Sequence, residues 1–118
     1  MERLNRVLLH LNDFRRVAID PARIYLLRAD GDDTLVRARG ARPYRDVRRL
    51  SAVSAAFEPH GFLRVHHDHA VNLLHVRELR RRGSGDDWEL KLQPPVGRVL
   101  PISRDRLRKL LAAFGDRP

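Results

Sequence analysis

Three groups of side chains in the 118-residue chain are of types that can do chemistry. His66, His67, Asp68 and His69, with His75 a little further on, are metal-ligand types in an almost unbroken run. Neighbours along an extended strand face opposite sides, so at most two of such a run converge. No His-Glu-x-x-His helix supplies a base beside paired ligands. Cysteine is absent, which removes disulfides, thiolate nucleophiles and cysteine-bound zinc. A Gly-x-Ser-x-Gly elbow and a Walker loop are also missing, and Gly83-x-Gly85 is a lone turn. An enzyme is therefore not expected, and no cofactor or metal is implied. What remains is cationic: the run Arg80-Arg81-Arg82, and Arg104, Arg106 and Arg108 behind Ser103. Forked guanidinium donors suit phosphates and the O6/N7 edge of guanine.

The overall charge points the same way. Lys and Arg number 24 against 15 Asp and Glu, a net charge of +9 and a pI near 11.4. A small domain this basic attracts polyanions and gains affinity by releasing their counterions. An anionic membrane surface is a poorer partner, because no segment pairs a basic face with a broad apolar one. No apolar run approaches the ~20 residues that cross a bilayer. The N-terminal arginines are not followed by an apolar signal-peptide region, so a cytoplasmic location is expected.

These residues must be carried by a scaffold. Residues 6–12 and 15–19 read as a hairpin, with a helix over 2–16 the open alternative. Arg23–Leu27 and Thr34–Arg39 form a second hairpin around the turn 29–33. Tyr44–Phe57 reads as the central helix, with Val47, Leu50, Val53, Ser54 and Phe57 on one face and Pro59–Gly61 ending it. Phe62–His66 is a strand. Asp68–Leu74 reads as a short helical turn leading into Val76–Arg81. The loop 83–87 joins that strand to Trp88–Leu92, and Gly97–Ile102 is the last strand. Ser103 stands where a helix cap would, before a helix over Asp105–Phe114 with Gly115 as its stop. With no linker, repeat or low-complexity tract, residues 1–118 read as one domain with its core over about 6–114.

Three segments of this order resemble a known family. Ile24-Tyr25-Leu26-Leu27-Arg28-Ala29-Asp30-Gly31 is similar to the I-x-Y-I-E-A-x-G hairpin of LytTR domains, the AlgR/AgrA/LytR type. Gly61–Val76 resembles the family's F-x-R-x-H-R-S-Y-x-V-N-x-x-x-V signature, with Phe62, Arg64, His66, Val71, Asn72 and Val76 in register and no gap. Leu100–Leu110 resembles its closing (V/I)-S-R-R-x-L-K-x-L. The resemblance implies a mostly β fold of elongated antiparallel sheets, with one central helix and a short C-terminal helix. It also implies a bacterial transcription regulator, or the output domain of a response regulator, whose loops enter successive major grooves of double-stranded DNA.

The resemblance maps DNA contacts onto three places. The first loop gives Asp32, Asp33 and Thr34. A carboxylate can accept from cytosine N4 but is repelled by phosphates, and a plain Asx-type turn competes with contact there. Thr34 is the better candidate. The second loop gives His66, His67 and Asp68, with His67 and Asp68 standing where the family has Arg and Ser. Binding is then expected to strengthen below about pH 6.5, as imidazoles gain charge. Arg64 and Asn72 are expected to hold the loop and its strand. The third place gives Ser103, Arg104, Arg106 and Arg108, at a helix start whose N–H groups favour an anion. Whether Arg104, Asp105 or Arg106 takes the base-reading position is open. Arg80, Arg81 and Arg82 are either a solvated hairpin edge or a steering patch for the DNA backbone. Promoter DNA with paired repeats, and two protomers upon it, are the expected partners. The competing readings are a LytTR-like protein-interaction module that regulates a partner and a His-rich metal-binding protein.

Overall fold

The computed structural model describes residues 5–116. Ten strands and two α-helices are arranged as three antiparallel sheets among these residues. Strands β1 (Val7–Asn12) and β2 (Arg15–Ile19) form the first hairpin, which settles the choice between hairpin and helix there. The central sheet has five strands: β3 (Ile24–Asp30), β4 (Asp33–Ala38), β5 (Tyr44–Asp46), β6 (Phe62–His66) and β7 (His69–Asn72), in the order β5-β4-β3-β7-β6. The third sheet is β10-β9-β8, built from β8 (Val76–Arg81), β9 (Trp88–Leu92) and β10 (Val99–Ile102). Helix α1 spans Leu50–Phe57 and α2 spans Arg104–Ala113.

The inner strands of the central sheet are buried on both faces. Along β3, Ile24, Tyr25, Leu26 and Leu27 are all buried, as expected of a strand covered on both sides. One face meets α1 and the first hairpin, where Leu9, Ile24, Leu27, Val36, Val53, Phe57 and Phe62 form a core. The other meets the third sheet and α2, where Leu26, Val65, Val71, Leu90, Leu92 and Leu110 form a second core. The molecule measures 49 × 36 × 26 Å, elongated as the resemblance implies.

Two elements depart from the sequence reading. The central helix starts at Leu50 rather than Tyr44, and Tyr44–Asp46 is a strand paired with Thr34–Val36. The reason is Asp46. Its fully buried carboxylate accepts from the amides of His10 (3.0 Å) and Arg48 (2.9 Å) and from the Arg48 guanidinium (2.8 and 3.0 Å), which holds the chain extended ahead of the helix. Val47 is consequently exposed instead of lying on the helix's apolar face. The second departure is Asp68–Leu74, where β7 replaces the expected helical turn. Ala70, Val71 and Asn72 are buried between β3 and β6, and only Leu73–His75 forms a 3-10 turn, its Leu74 amide capped by the Asn72 side chain.

Candidate nucleic-acid interface

Strand register decides which loops are neighbours. Strands β3 and β7 run antiparallel with Arg28 opposite His69, so the β3–β4 turn and the β6–β7 turn leave the central sheet at the same end. The amide of Ala29 donates to the carbonyl of Asp68 at 2.9 Å and ties the two turns together. At the end of β6, the carbonyl of Val65 accepts from the Ser103 amide at 2.8 Å, which brings the start of α2 alongside. Ile102 pairs with Trp88, so the 83–87 loop lies at that end of the third sheet, and Arg104 reaches Asp87 at 3.1 Å. A continuous edge results, from the β3–β4 turn through the β6–β7 turn and the α2 start to the β8–β9 loop.

At the first turn, Gly31 (φ +61°) and Asp32 close a tight connection between paired Asp30 and Asp33. Only a residue tolerant of the left-handed region suits that glycine. Here the carboxylates are engaged: Arg45 binds Asp30 (2.6 Å) and Asp33 (3.2 Å), and Arg49 binds Asp32 (3.0 Å). Hydrogen bonds donated to Asp30 and then to Asp33 raise the pKa of Arg45 further above its already high value. Thr34 must be corrected. It is fully buried, and its hydroxyl donates to the Arg48 carbonyl at 2.8 Å, so it braces the segment before α1 and offers nothing to a duplex. Arg45 and Arg49, which sequence reasoning passed over as polar helix positions, are the exposed cations at this turn.

The second turn is held from inside. Arg64 donates to the His67 carbonyl. Asn72 donates to the carbonyls of Pro21 and Ile24, both at 3.0 Å, and accepts from Leu74 N at 3.1 Å. Both therefore hold the scaffold, as expected. His67 and Asp68 form the exposed tip. The Asp68 amide donates to Nδ1 of His66 at 3.2 Å, which leaves the proton of a neutral His66 ring on Nε2, where it can be given to a ligand. His69 sits behind, its ring centroid 6.0 Å from that of His66. Burial, then the charges of His66 and Arg98, push its pKa below the ordinary imidazole value.

Ser103 is the N-cap residue of α2, but its hydroxyl makes no capping bond and instead lies 3.4 Å from the Val65 carbonyl and accepts from Arg106 at 3.3 Å. The nearby Ser103 hydroxyl holds the Asp105 carboxyl below the usual carboxylate range. Arg104 is exposed, with Nε and Nη2 on one oxygen of Asp87 at 3.3 and 3.1 Å. Arg106 is half-buried beside it, and Arg108 is exposed one turn on. The run Arg80–Arg82 faces carboxylates of its own hairpin: Arg80 binds Glu89 (2.6 Å) and Glu78 (2.9 Å), Arg81 binds Asp86 (3.4 Å), and Arg82 binds Glu89 (3.4 Å). Exposed pairs of this kind are worth about 0–1 kcal/mol, so a phosphate can compete for the guanidinium. Among the described residues no three His, Asp or Glu side chains gather as a metal site.

Residues 15–115 match the family model of the LytTr DNA-binding domain. The chain belongs to that family. Over 97 residues it is 35% identical to the CO-responsive transcriptional regulator RcoM of Rhodospirillum rubrum, a match that takes in 80% of this chain and 40% of RcoM. The LytTr chain thus spans about two fifths of that relative's length. Among solved structures, the LytTr DNA-binding domain of a Bacillus cereus protein described as a methyl-accepting/DNA response regulator superposes with a TM-score of 0.73. That match covers 96% of this chain and 99% of the other at 17% identity. The fold is accordingly that of LytTr domains: mostly β, antiparallel, with two helices.

Proposed function

We propose that the edge running from the β3–β4 turn to the β8–β9 loop binds double-stranded DNA with sequence specificity, and that the chain acts as a cytoplasmic transcription regulator or as the output domain of one. The observation that carries this reading is the linked placement of the β6–β7 turn and the α2 start through the hydrogen bond from Ser103 N to Val65 O. One rigid unit then presents His66, His67, Asp68, Arg104, Arg106 and Arg108 side by side.

Arg104 exchanges its single-oxygen pairing with Asp87 for the two acceptors of a guanine edge, a bidentate match that no exposed carboxylate pair equals in specificity. Ser103 and the α2 amides receive a phosphate. His66 donates through Nε2, His67 lies at the tip of the same turn, and Asp68 accepts from cytosine N4 where the groove permits it. Arg106 and Arg108 flank this site. Asp33, with Asp32 beside it, serves mainly to hold Arg45 and Arg49 in place. Arg80, Arg81 and Arg82 supply attraction without base information. Two protomers on paired repeats complete the complex.

The test is a mobility-shift titration of the chain with promoter duplex from its own locus, against a scrambled duplex of equal length. The reading expects the promoter duplex to survive competition from the scrambled one. Equal competition would remove sequence-specific binding and leave the protein-interaction module as the better account.

A further inference from the structure

Away from that edge, a second cationic place lies on the face of the central sheet. A hollow of about 200 Å³ is lined by Leu26, Arg28, Leu35, Arg37, Pro43 and Arg98. The register explains its pattern. Leu26 pairs with Arg37 and Arg28 pairs with Leu35 across β3 and β4, and cross-strand partners share a face. The four side chains thus make a checkerboard, two leucines on one diagonal and two guanidinium groups on the other. The third sheet and α2 cover this face over β3, β6 and β7. At the β4 side Leu35 stays half-buried and reachable, while Leu26 beneath it is buried.

The third cation comes from elsewhere in the chain. Arg98 arrives on the loop between β9 and β10, and its backbone is fixed by the bond from Leu92 N to its carbonyl at 2.9 Å. Arg45, Arg48, Arg49, Arg80, Arg81, Arg82 and Arg104 all pair with carboxylates, whereas Arg28, Arg37 and Arg98 make no ion pair and no side-chain hydrogen bond among the described residues. His69, opposite Arg28 in the register, has a buried Nδ1 without a partner among those residues. Three unneutralised guanidinium groups over an apolar floor focus a positive potential into a concave space.

We infer that this hollow is an anion site, built for a phosphate ester whose oxygens meet Arg28, Arg37 and Arg98 and whose apolar body rests on Leu35 and Pro43. The volume accommodates a phosphate with a small organic group; sites for drug-sized ligands begin at about 300 Å³. The ester is either a free phosphomonoester or a backbone phosphodiester of DNA that passes over the sheet face. The inference stands apart from the proposed reading edge, since none of its residues belongs to that edge.

Phenyl phosphate is the probe. Titrated into the full chain and followed by the arginine Nε–H and histidine ring resonances, it is expected to shift Arg28, Arg37, Arg98 and His69 together and saturably. Arg37→Ala and Arg98→Ala, both at solvent-reachable positions, are expected to weaken it by about tenfold each while the remaining backbone spectrum stays in place. Shifts spread evenly over Arg80–Arg82, Arg104 and Arg108, or unchanged affinity in both variants, would overturn the site. A duplex arm assigns the source. If a saturating 20-base-pair duplex displaces phenyl phosphate from the hollow, the anion is a backbone phosphate; if both bind at once, it is a free ester.

Discussion

The two turns at the end of the central sheet are neighbours, joined by one backbone hydrogen bond, but only the second lies beside the arginines of the α2 start. The β3–β4 turn carries Asp30, Asp32 and Asp33, each engaged by Arg45 or Arg49. The β6–β7 turn and the adjoining α2 start carry His66, His67, Arg104, Arg106 and Arg108, with Asp87 the one carboxylate that reaches Arg104. The first turn sets three carboxylates against two guanidinium groups and keeps a net acidic character. The second is cationic and weakly committed, because an exposed pair such as Arg104–Asp87 is readily exchanged. Proximity to a duplex therefore does not make two turns equivalent. On the proposed reading the second turn recognises DNA and the first gives mechanical support, a contrast that experiment can break.

The largest effect concerns salt. If about six phosphates are neutralised along the cationic stretch, affinity should fall by about 10³-fold between 50 and 200 mM salt. A flat dependence would mean that the cations do not carry binding. Next in size, Arg104→Ala should cost about 1–3 kcal/mol of affinity and relax discrimination among duplexes, whereas Asp32→Asn should leave discrimination as it is. Competition assays on both variants sharpen the contrast directly, and equal loss from the two would erase it.

A smaller effect marks the supporting role of the first turn. Thr34→Val removes the hydroxyl that serves the Arg48 carbonyl, and should lower unfolding stability by about 1 kcal/mol without altering DNA affinity. Denaturant melts beside binding curves check it. The smallest effect follows pH. Burial keeps the folded His69 pKa below its unfolded value near 6.5, so as pH falls below about 6.5 the unfolded chain takes up a proton that folded His69 resists. Stability from this group is present above the unfolded pKa and is lost as pH drops through the folded one. His69→Gln should flatten that limb of the stability profile.

Much of this was readable in the residues. The turn at 29–33, the loop at 83–87 and the Gly115 stop place the strands and α2 close to where they lie, because local pattern and tertiary burial agree there. Tyr44–Asp46 was misread because its fate depends on Asp46 reaching the amides of His10 and Arg48, a long-range contact with no signature in helical spacing. Thr34 was misread for a related reason: a hydroxyl beside a turn looks available until the segment before α1 closes over it. Asn72 and Arg64 were understood as supports, since the resemblance set them in the frame of the central signature. Arg45 and Arg49 were overlooked because a helix assignment sent them to an unrelated surface. The hollow at Arg28, Arg37 and Arg98 needed the β3–β4 register and the third sheet together, and neither is visible in sequence spacing alone.

The most direct test of the account is selection of bound duplexes from a random library by the intact chain, followed by sequencing of what is retained. A reading edge formed by the β6–β7 turn and the α2 start predicts enrichment of one motif in paired repeats, with a guanine whose preference fades in the Arg104→Ala protein. Retention of duplexes with no shared motif, or a motif unchanged by loss of Arg104, would contradict it.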